Sequence, residues 1–277
     1  MNRLVARFAE LKTQKAKTGT RAALIPYVMT GDPSPEITLP LMHSMVEAGA
    51  DIIELGAPFS DPMADGPVIQ AAAERSLMHN TSLWDVFSVV AEFRKTDNKT
   101  PIVMMGYLNP IEVMGYDAFA QQASACGIDG VITVDMPPIE AAEYVPALKS
   151  QGLDPIFLLA PTSTETRIKK LADVASGFVY YVSLKGVTGA ATLDVSSVEQ
   201  KVAQIRQSID LPIGVGFGIS DAESAAKVAN CSDAVVVGSV IVKKMTLNSG
   251  KTEPERAIII KEISDILSAM RNAMDSL

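Results

Sequence analysis

The chain is poor in the residues that build metal centres, disulfide frameworks and nucleophilic triads. Its 277 residues include two histidines and two cysteines. His43 lies in a helical pattern and His79 precedes Asn80 in a loop. Neither sits at a strand end with a carboxylate nearby in sequence, and no zinc or iron ligand spacing occurs, so a metal centre is not expected. Cys126 and Cys231 form no CxxC pair and stand beside small or apolar residues, which favours packing in a reducing compartment over a disulfide. No serine lies in a GxSxG elbow. No apolar run approaches the roughly 18–20 residues of a membrane span. The N-terminal MNRLVARFAELKTQKAKTGT lacks the apolar core and cleavage site of a signal peptide. Positive charge is short too: 24 Lys and Arg against 32 Asp and Glu leave a net charge of −8. That disfavours nucleic acid or an anionic membrane as the main partner. It leaves anionic small substrates open, because backbone amides bind phosphate without basic side chains. The expectation is a soluble protein of the cytoplasm or an equivalent reducing compartment.

Apolar residues are abundant, at 48%, and they recur in short runs. The runs are AALIPYVM from Ala22, DIIELGAP from Asp51, PIVMMGY from Pro101 and GVITVDM from Gly130. DPIFLLAP from Asp154, GFVYYVS from Gly177, PIGVGFG from Pro212 and AVVVGSV from Ala234 follow. These eight candidate strands start about 30 residues apart, the length of a strand–helix unit. Near-continuous apolar strands suit a parallel sheet buried on both faces. The intervening segments, such as PEITLPLMHSMVEAGA, carry helical periodicity. Eight repeats predict a (β/α)8 TIM barrel spanning residues 1–277 as a single domain. The alternative is an open doubly wound sheet. It is weakened by the count of eight and by the lack of a GxGxxG turn after the first strand. Residues 2–16 place Leu4, Val5, Phe8, Ala9 and Leu11 at amphipathic spacing, an additional N-terminal helix able to close one end.

Strands 2 and 3 start 50 residues apart, the widest interval. The extra length is expected just after strand 2, where Pro58, Pro62, Gly66 and Pro67 interrupt helix and strand alike. In a barrel that is the C-terminal face, where active sites form. The same segment, ADIIELGAPFSDPMADGP, is rich in acids. Glu54 falls inside an apolar strand, on the face shared by Ile52 and Gly56. Burial without a partner raises a carboxyl pKa toward neutrality and suits it to both give and take a proton. The competing reading is a structural ion pair, but no predicted strand carries an Arg or Lys to make one. Asp61 and Asp65 follow in the loop, and by residue type each fits a turn as well as a catalyst.

Glycines mark a second candidate site. Strand 7 ends in GVGFGIS and strand 8 in VGSV. Gly218, Gly238 and Ser239 thus stand where barrels commonly bind phosphate through backbone N–H groups. Simple tight turns are the plainer alternative. SLKGVTGA adds a glycine-bearing loop after strand 6, and its Lys185 reads as an exposed loop cation rather than a Schiff-base lysine. Tyr27, Met105, Tyr107, Tyr180 and Phe217 fit either a pocket for a flat aromatic group or ordinary barrel layers.

ELGAPFSDPMADGPVIQ is similar to the signature of the tryptophan synthase α-subunit family around its catalytic glutamate and aspartate. YVMTGDP, GYLNPI, VDMPP, SLKGVTG and GFGIS resemble further family segments, in order, from about residue 3 to residue 245. The resemblance implies retro-aldol cleavage of indole-3-glycerol phosphate to indole and glyceraldehyde 3-phosphate in tryptophan biosynthesis. It makes Glu54 the acid–base residue and Asp65 the acceptor for the indole N–H. Tyr180 matches a tyrosine near the glutamate, and Thr188 a loop threonine that orients the aspartate. Gly189, Gly218, Gly238 and Ser239 match phosphate-binding positions. Tyr27, Ile69, Tyr107, Asn109 and Phe217 would lie around the indole. The resemblance further implies no cofactor in this chain and a β subunit that carries pyridoxal phosphate, in an αββα heterotetramer. The partner surface would include the loop around Asp61 and the loops near Asn109 and Pro137. Tyr27 replaces a common Phe and Met63 a common Leu, both mild changes. Two other functions fit the residues alone: a barrel aldolase or isomerase on another phosphorylated sugar, and a non-catalytic phosphate-binding subunit. The intact acids speak against the second.

Overall fold

The computed structural model describes residues 2–18, 22–183, 194–216, 218–246 and 250–277. Eight parallel strands close into a barrel in the order β1 to β8, each hydrogen-bonded to the next and β8 to β1. They are β1 Ala23–Met29, β2 Ile53–Gly56, β3 Ile102–Gly106 and β4 Gly130–Thr133, then β5 Asp154–Leu159, β6 Val179–Val182, β7 Ile213–Gly216 and β8 Ala234–Val237. All eight lie in the predicted apolar runs, and closure excludes the open doubly wound sheet. The outer helices are α2 Pro35–Glu47, α4 Leu83–Phe93, α6 Tyr116–Cys126, α7 Tyr144–Ser150, α8 Glu165–Ala172, α9 Val195–Arg206, α10 Ala222–Cys231 and α12 Glu253–Asp275. Their apolar faces and the outward strand residues form one continuous core, to which Val28, Leu55, Met104 and Val235 belong.

The barrel interior is a second, smaller core. Ile25, Ile52, Val103, Ile132, Ile156, Phe178 and Val236 fill it. Helix α1, Arg3–Thr18, closes the N-terminal end, as its spacing predicts. Leu4, Phe8 and Leu11 insert into this core, with the Phe8 and Phe178 rings 5.7 Å apart.

The N-terminal end is also sewn together by aspartates. Asp51, Asp129 and Asp233 each sit just before a strand. Each accepts a backbone N–H from the preceding strand: Leu24 at 2.8 Å, Ile102 at 2.9 Å and Ile213 at 2.9 Å. Each is also paired with arginine. Asp51 meets Arg7 and Arg271, Asp129 meets Arg3 and Arg94, and Asp233 meets Arg206.

Three extra helices stand on the opposite, C-terminal side: α3 Pro67–Leu77 after β2, α5 Leu108–Met114 after β3, and α11 Ser239–Met245 after β8. The first corrects the reading of the long interval. Only residues 57–66 form a loop; Pro67 opens α3 rather than breaking it. Proline suits the first helical position because its missing N–H would have no intrahelical partner there. Ala72 and Ala73 of α3 then pack against Tyr27 and Met29 of β1 and Val242 of α11. A 3-10 turn, Pro138–Glu140, follows β4.

Candidate active site

Glu54 stands in the middle of β2, in register with Tyr27 on β1 and Val103 on β3. Its residue is 1% exposed, and its Oε2 has no hydrogen-bond partner among the described residues. Burial, and then the charge of Asp65, pushes its carboxyl up to about 8. At neutral pH the group therefore holds its proton and can release it, the condition for serving as acid and base in one cycle.

Asp65 is half-buried in the loop between β2 and α3. Burial raises its carboxyl, and the nearby Tyr107 hydroxyl partly offsets that. The two carboxyls therefore sit in different surroundings, one apolar and one near the Tyr107 phenol. Asp61, in the same loop, is exposed and points to a turn role: its carbonyl accepts the Met63 N–H at 2.8 Å.

Two tyrosines complete the group. Burial and both carboxylates hold the Tyr27 and Tyr180 phenols well above their ordinary range, so each keeps its O–H. Each ring leans over a glycine of the next strand. A Cβ on Gly56 would lie 2.4 Å from Tyr27 Oη, and one on Gly216 would lie 2.2 Å from Tyr180 Oη. Those glycines are thus space for aromatic rings.

Tyr107 directly follows β3 and stacks on Phe59 at 5.3 Å. Ile69, on α3, packs into the cluster holding Tyr27, Met29 and Met105. Gly218 follows β7 with a left-handed backbone, φ +79°, that favours glycine. Gly238 caps α11, whose first residue is Ser239, and a Cβ there would rest 3.6 Å from Tyr27 Cβ. The candidate phosphate glycine after β8 is therefore a neighbour of the candidate pocket. Thr188, Gly189, Phe217 and Lys185 lie outside the described residues.

Sequence reasoning missed two residues that shape this end. Gln70 ties the Asp65 loop to α3, and Asp135 accepts the Leu108 N–H at 2.8 Å, joining the β4 and β3 loops. Both act on backbone distant in sequence or across a turn, which no local pattern announces. Neither histidine joins the site: His43 stacks on Phe93 at 4.7 Å, and His79 lies 2.9 Å from the Pro33 carbonyl. Both cysteines are free. Volume alone would mislead here. A cavity of about 520 Å³ opens at the N-terminal end among Phe8, Lys12, Lys15 and Arg206, away from both acids.

The family model for the tryptophan synthase alpha chain matches residues 12–271. The chain belongs to the tryptophan synthase alpha chain family. The alpha chain of Thioalkalivibrio sulfidiphilus is 58% identical over 275 residues, covering 99% of this chain and 100% of that one. That of Nitrosococcus oceani is 56% identical over 276 residues, covering 100% and 98%. The crystal structure of tryptophan synthase subunit alpha from Legionella pneumophila superposes with a TM-score of 0.89 at 42% identity, covering all of both chains. The fold expected from the eight strands is therefore the alpha-chain barrel. The chain is an enzyme subunit of the lyase type, and its reaction is the cleavage of indole-3-glycerol phosphate in tryptophan biosynthesis.

Proposed function

We propose that Glu54 and Asp65 carry out this cleavage as a retro-aldol reaction. The observation that carries the assignment is Glu54 itself, a strand carboxyl pushed up to about 8 beside a second acid, with a buried oxygen that meets no donor among the described residues. Glu54 gives its proton to indole C3. The ring nitrogen becomes positive, and the Asp65 carboxylate accepts its N–H and offsets that charge. The Glu54 carboxylate then takes the proton of the adjacent side-chain hydroxyl. The carbon–carbon bond breaks, its electron pair returns to the ring, and the hydroxyl carbon leaves as the aldehyde. Glu54 ends protonated, as it began. Tyr180 supplies a neutral phenol near Glu54, and Thr188 orients Asp65.

The phosphate is held by Gly189, Gly218, Gly238 and Ser239. The arrangement after β7 and β8, ending in a short helix, is the one barrels commonly use for that group. Tyr27, Ile69, Tyr107 and Phe217 line the indole pocket. The chain works as one barrel domain, 1–277, without a cofactor of its own, in the cytoplasm; among the described residues no helix is long and apolar enough to cross a membrane.

Indole passes to a β subunit that holds pyridoxal phosphate, in an αββα assembly. Exposed apolar residues support a docking face at the active-site end. Met63 after β2, Val113 after β3 and Ile139 after β4 are 80%, 83% and 73% exposed, on segments that follow adjacent strand ends. The test is to incubate the purified chain with indole-3-glycerol phosphate, with and without a β subunit, and measure indole. Release by the isolated chain, increased by the partner, is the expected result. No indole in either case would sink the assignment.

A further inference from the structure

Asp65 sits on a loop, yet the backbone around it is fastened on two sides. The segment 62–65 closes on itself, with the Asp65 N–H donating to the Pro62 carbonyl at 3.1 Å. The side-chain amide of Gln70, in the first turns of α3, donates to the Asp65 carbonyl at 2.9 Å and to the Pro62 carbonyl at 3.3 Å. A primary amide has two N–H donors, and here both ends of one turn receive them. On the other side, the Tyr107 hydroxyl accepts the Ala64 N–H at 3.1 Å and lies near the Asp65 carboxylate. Phe59 stacks on Tyr107 and holds that ring in place.

We infer that Gln70 is a positioning residue for Asp65: its amide clamps the two carbonyls of the 62–65 turn and so aims the carboxylate at the indole nitrogen. The inference rests on the assignment of Asp65 as the indole N–H acceptor. Gln70 acts through the backbone of the loop, not on the reacting ring. A hydrogen bond between Asp65 and the ring N–H is most useful when the ring becomes positive, so a misaimed carboxylate weakens the transition state more than substrate binding. Small misplacements of a catalytic group are costly, up to about a hundredfold for about 1 Å. Loss of the clamp should therefore appear in kcat, with KM little changed.

Gln70→Met keeps length and helix preference and removes both donors. Gln70→Ala removes the same donors without bulk and serves if the first variant folds poorly. Each is assayed for indole release from indole-3-glycerol phosphate, in the presence of the β subunit. The expected result is a fall in kcat of about tenfold to a hundredfold with KM within about twofold. The thermal midpoint should stay within about 2 °C of the parent. The same changes are then made in an Asp65→Asn background, with indole accumulated over hours. There the cost of losing Gln70 should shrink below about twofold, because residues acting through one another are not additive. An unchanged kcat, a fall matched by a rise in KM, or an undiminished cost in the Asp65→Asn background would each overturn the inference. The kcat and KM split decides by itself if the Asp65→Asn rate falls below detection. Parent-like turnover in Asp65→Asn alone would instead remove the role of Asp65, and this inference with it.

Discussion

Three aspartates at the N-terminal end of the barrel and one glutamate at the C-terminal end are held in opposite ways. At the N-terminal end, Asp51, Asp129 and Asp233 each hold a strand N–H and at least one arginine. At the C-terminal end, Glu54 is as buried as Asp51 or Asp129, yet its Oε2 meets no donor among the described residues. Pairing a buried carboxylate keeps it ionised and makes it part of the scaffold; withholding the partner raises its pKa and makes it a proton carrier. The carboxyl group and the deep burial are common to Glu54, Asp51 and Asp129, so their neighbours separate stability from chemistry. The end of the barrel does not set the outcome by itself: Asp32, after β1, is buried and paired with Arg75, while Asp154, at the start of β5, has a buried Oδ2 that meets no donor among the described residues.

The comparison is broken most directly at Glu54. Glu54→Gln keeps the shape and ends proton exchange, so indole formation should fall by about 10²–10⁴-fold, the range for a lost general acid or base. Unfolding in urea should show an intact fold. A near-parental rate would place Glu54 among the structural acids. At the other end, Asp129→Ala strands Arg94, which is 9% exposed, and frees the Ile102 N–H. Breaking such a buried pair costs about 3–5 kcal/mol. Urea midpoints measure that loss, while kcat per folded molecule should stay within about twofold.

The pH dependence of stability sharpens the contrast. Folding raises the Glu54 pKa from 4.5 to about 8, so between these values the native state holds a proton that the unfolded chain has released. Native binding of more protons makes stability fall as pH rises, so the Glu54 contribution is greatest below about 4.5 and declines until about 8. Asp65 is shifted in the same direction. Comparing the parent with Glu54→Gln isolates the term: the parent should lose stability relative to the variant on going from pH 5 to pH 8. Parallel curves would mean that Glu54 has a partner after all. The smallest effect belongs to Arg206→Ala. Its guanidinium is 43% exposed on Asp233, so solvent screens the pair and the loss should be about 0.5–1 kcal/mol by urea unfolding. A cost equal to that of Asp129→Ala would show that burial does not set the worth of these pairs.

Much of this molecule is legible along the chain. Eight apolar runs predict eight strands, because a strand buried on both faces has nowhere to place polar residues. The spacing of Leu4, Phe8 and Leu11 predicts the plug, since one helical face must meet the barrel interior. Glu54 is legible for the same reason: it stands inside such a run, and no predicted strand offers it a cation. Other features are not. Pro67 reads as a breaker until its place at the start of α3 is known. Gly56 reads only as a neighbour on the Glu54 face, and Gly216 only as part of the glycine-rich end of strand 7, until the tyrosines are seen above them. Gln70 carries no local mark at all, because its partners are backbone carbonyls and any loop residue supplies those.

By itself, then, the sequence determined the barrel and the burial of one acid, since both follow from apolar periodicity along neighbouring residues. Only the tertiary structure decided which acids are paired. Arg3 reaches Asp129 across 126 positions and Arg271 reaches Asp51 across 220, while among the described residues no such cation pairs with Glu54. A carboxyl's proton affinity is set by the charges and dipoles within a few ångströms of it, and closing the chain into a barrel is what chooses those neighbours.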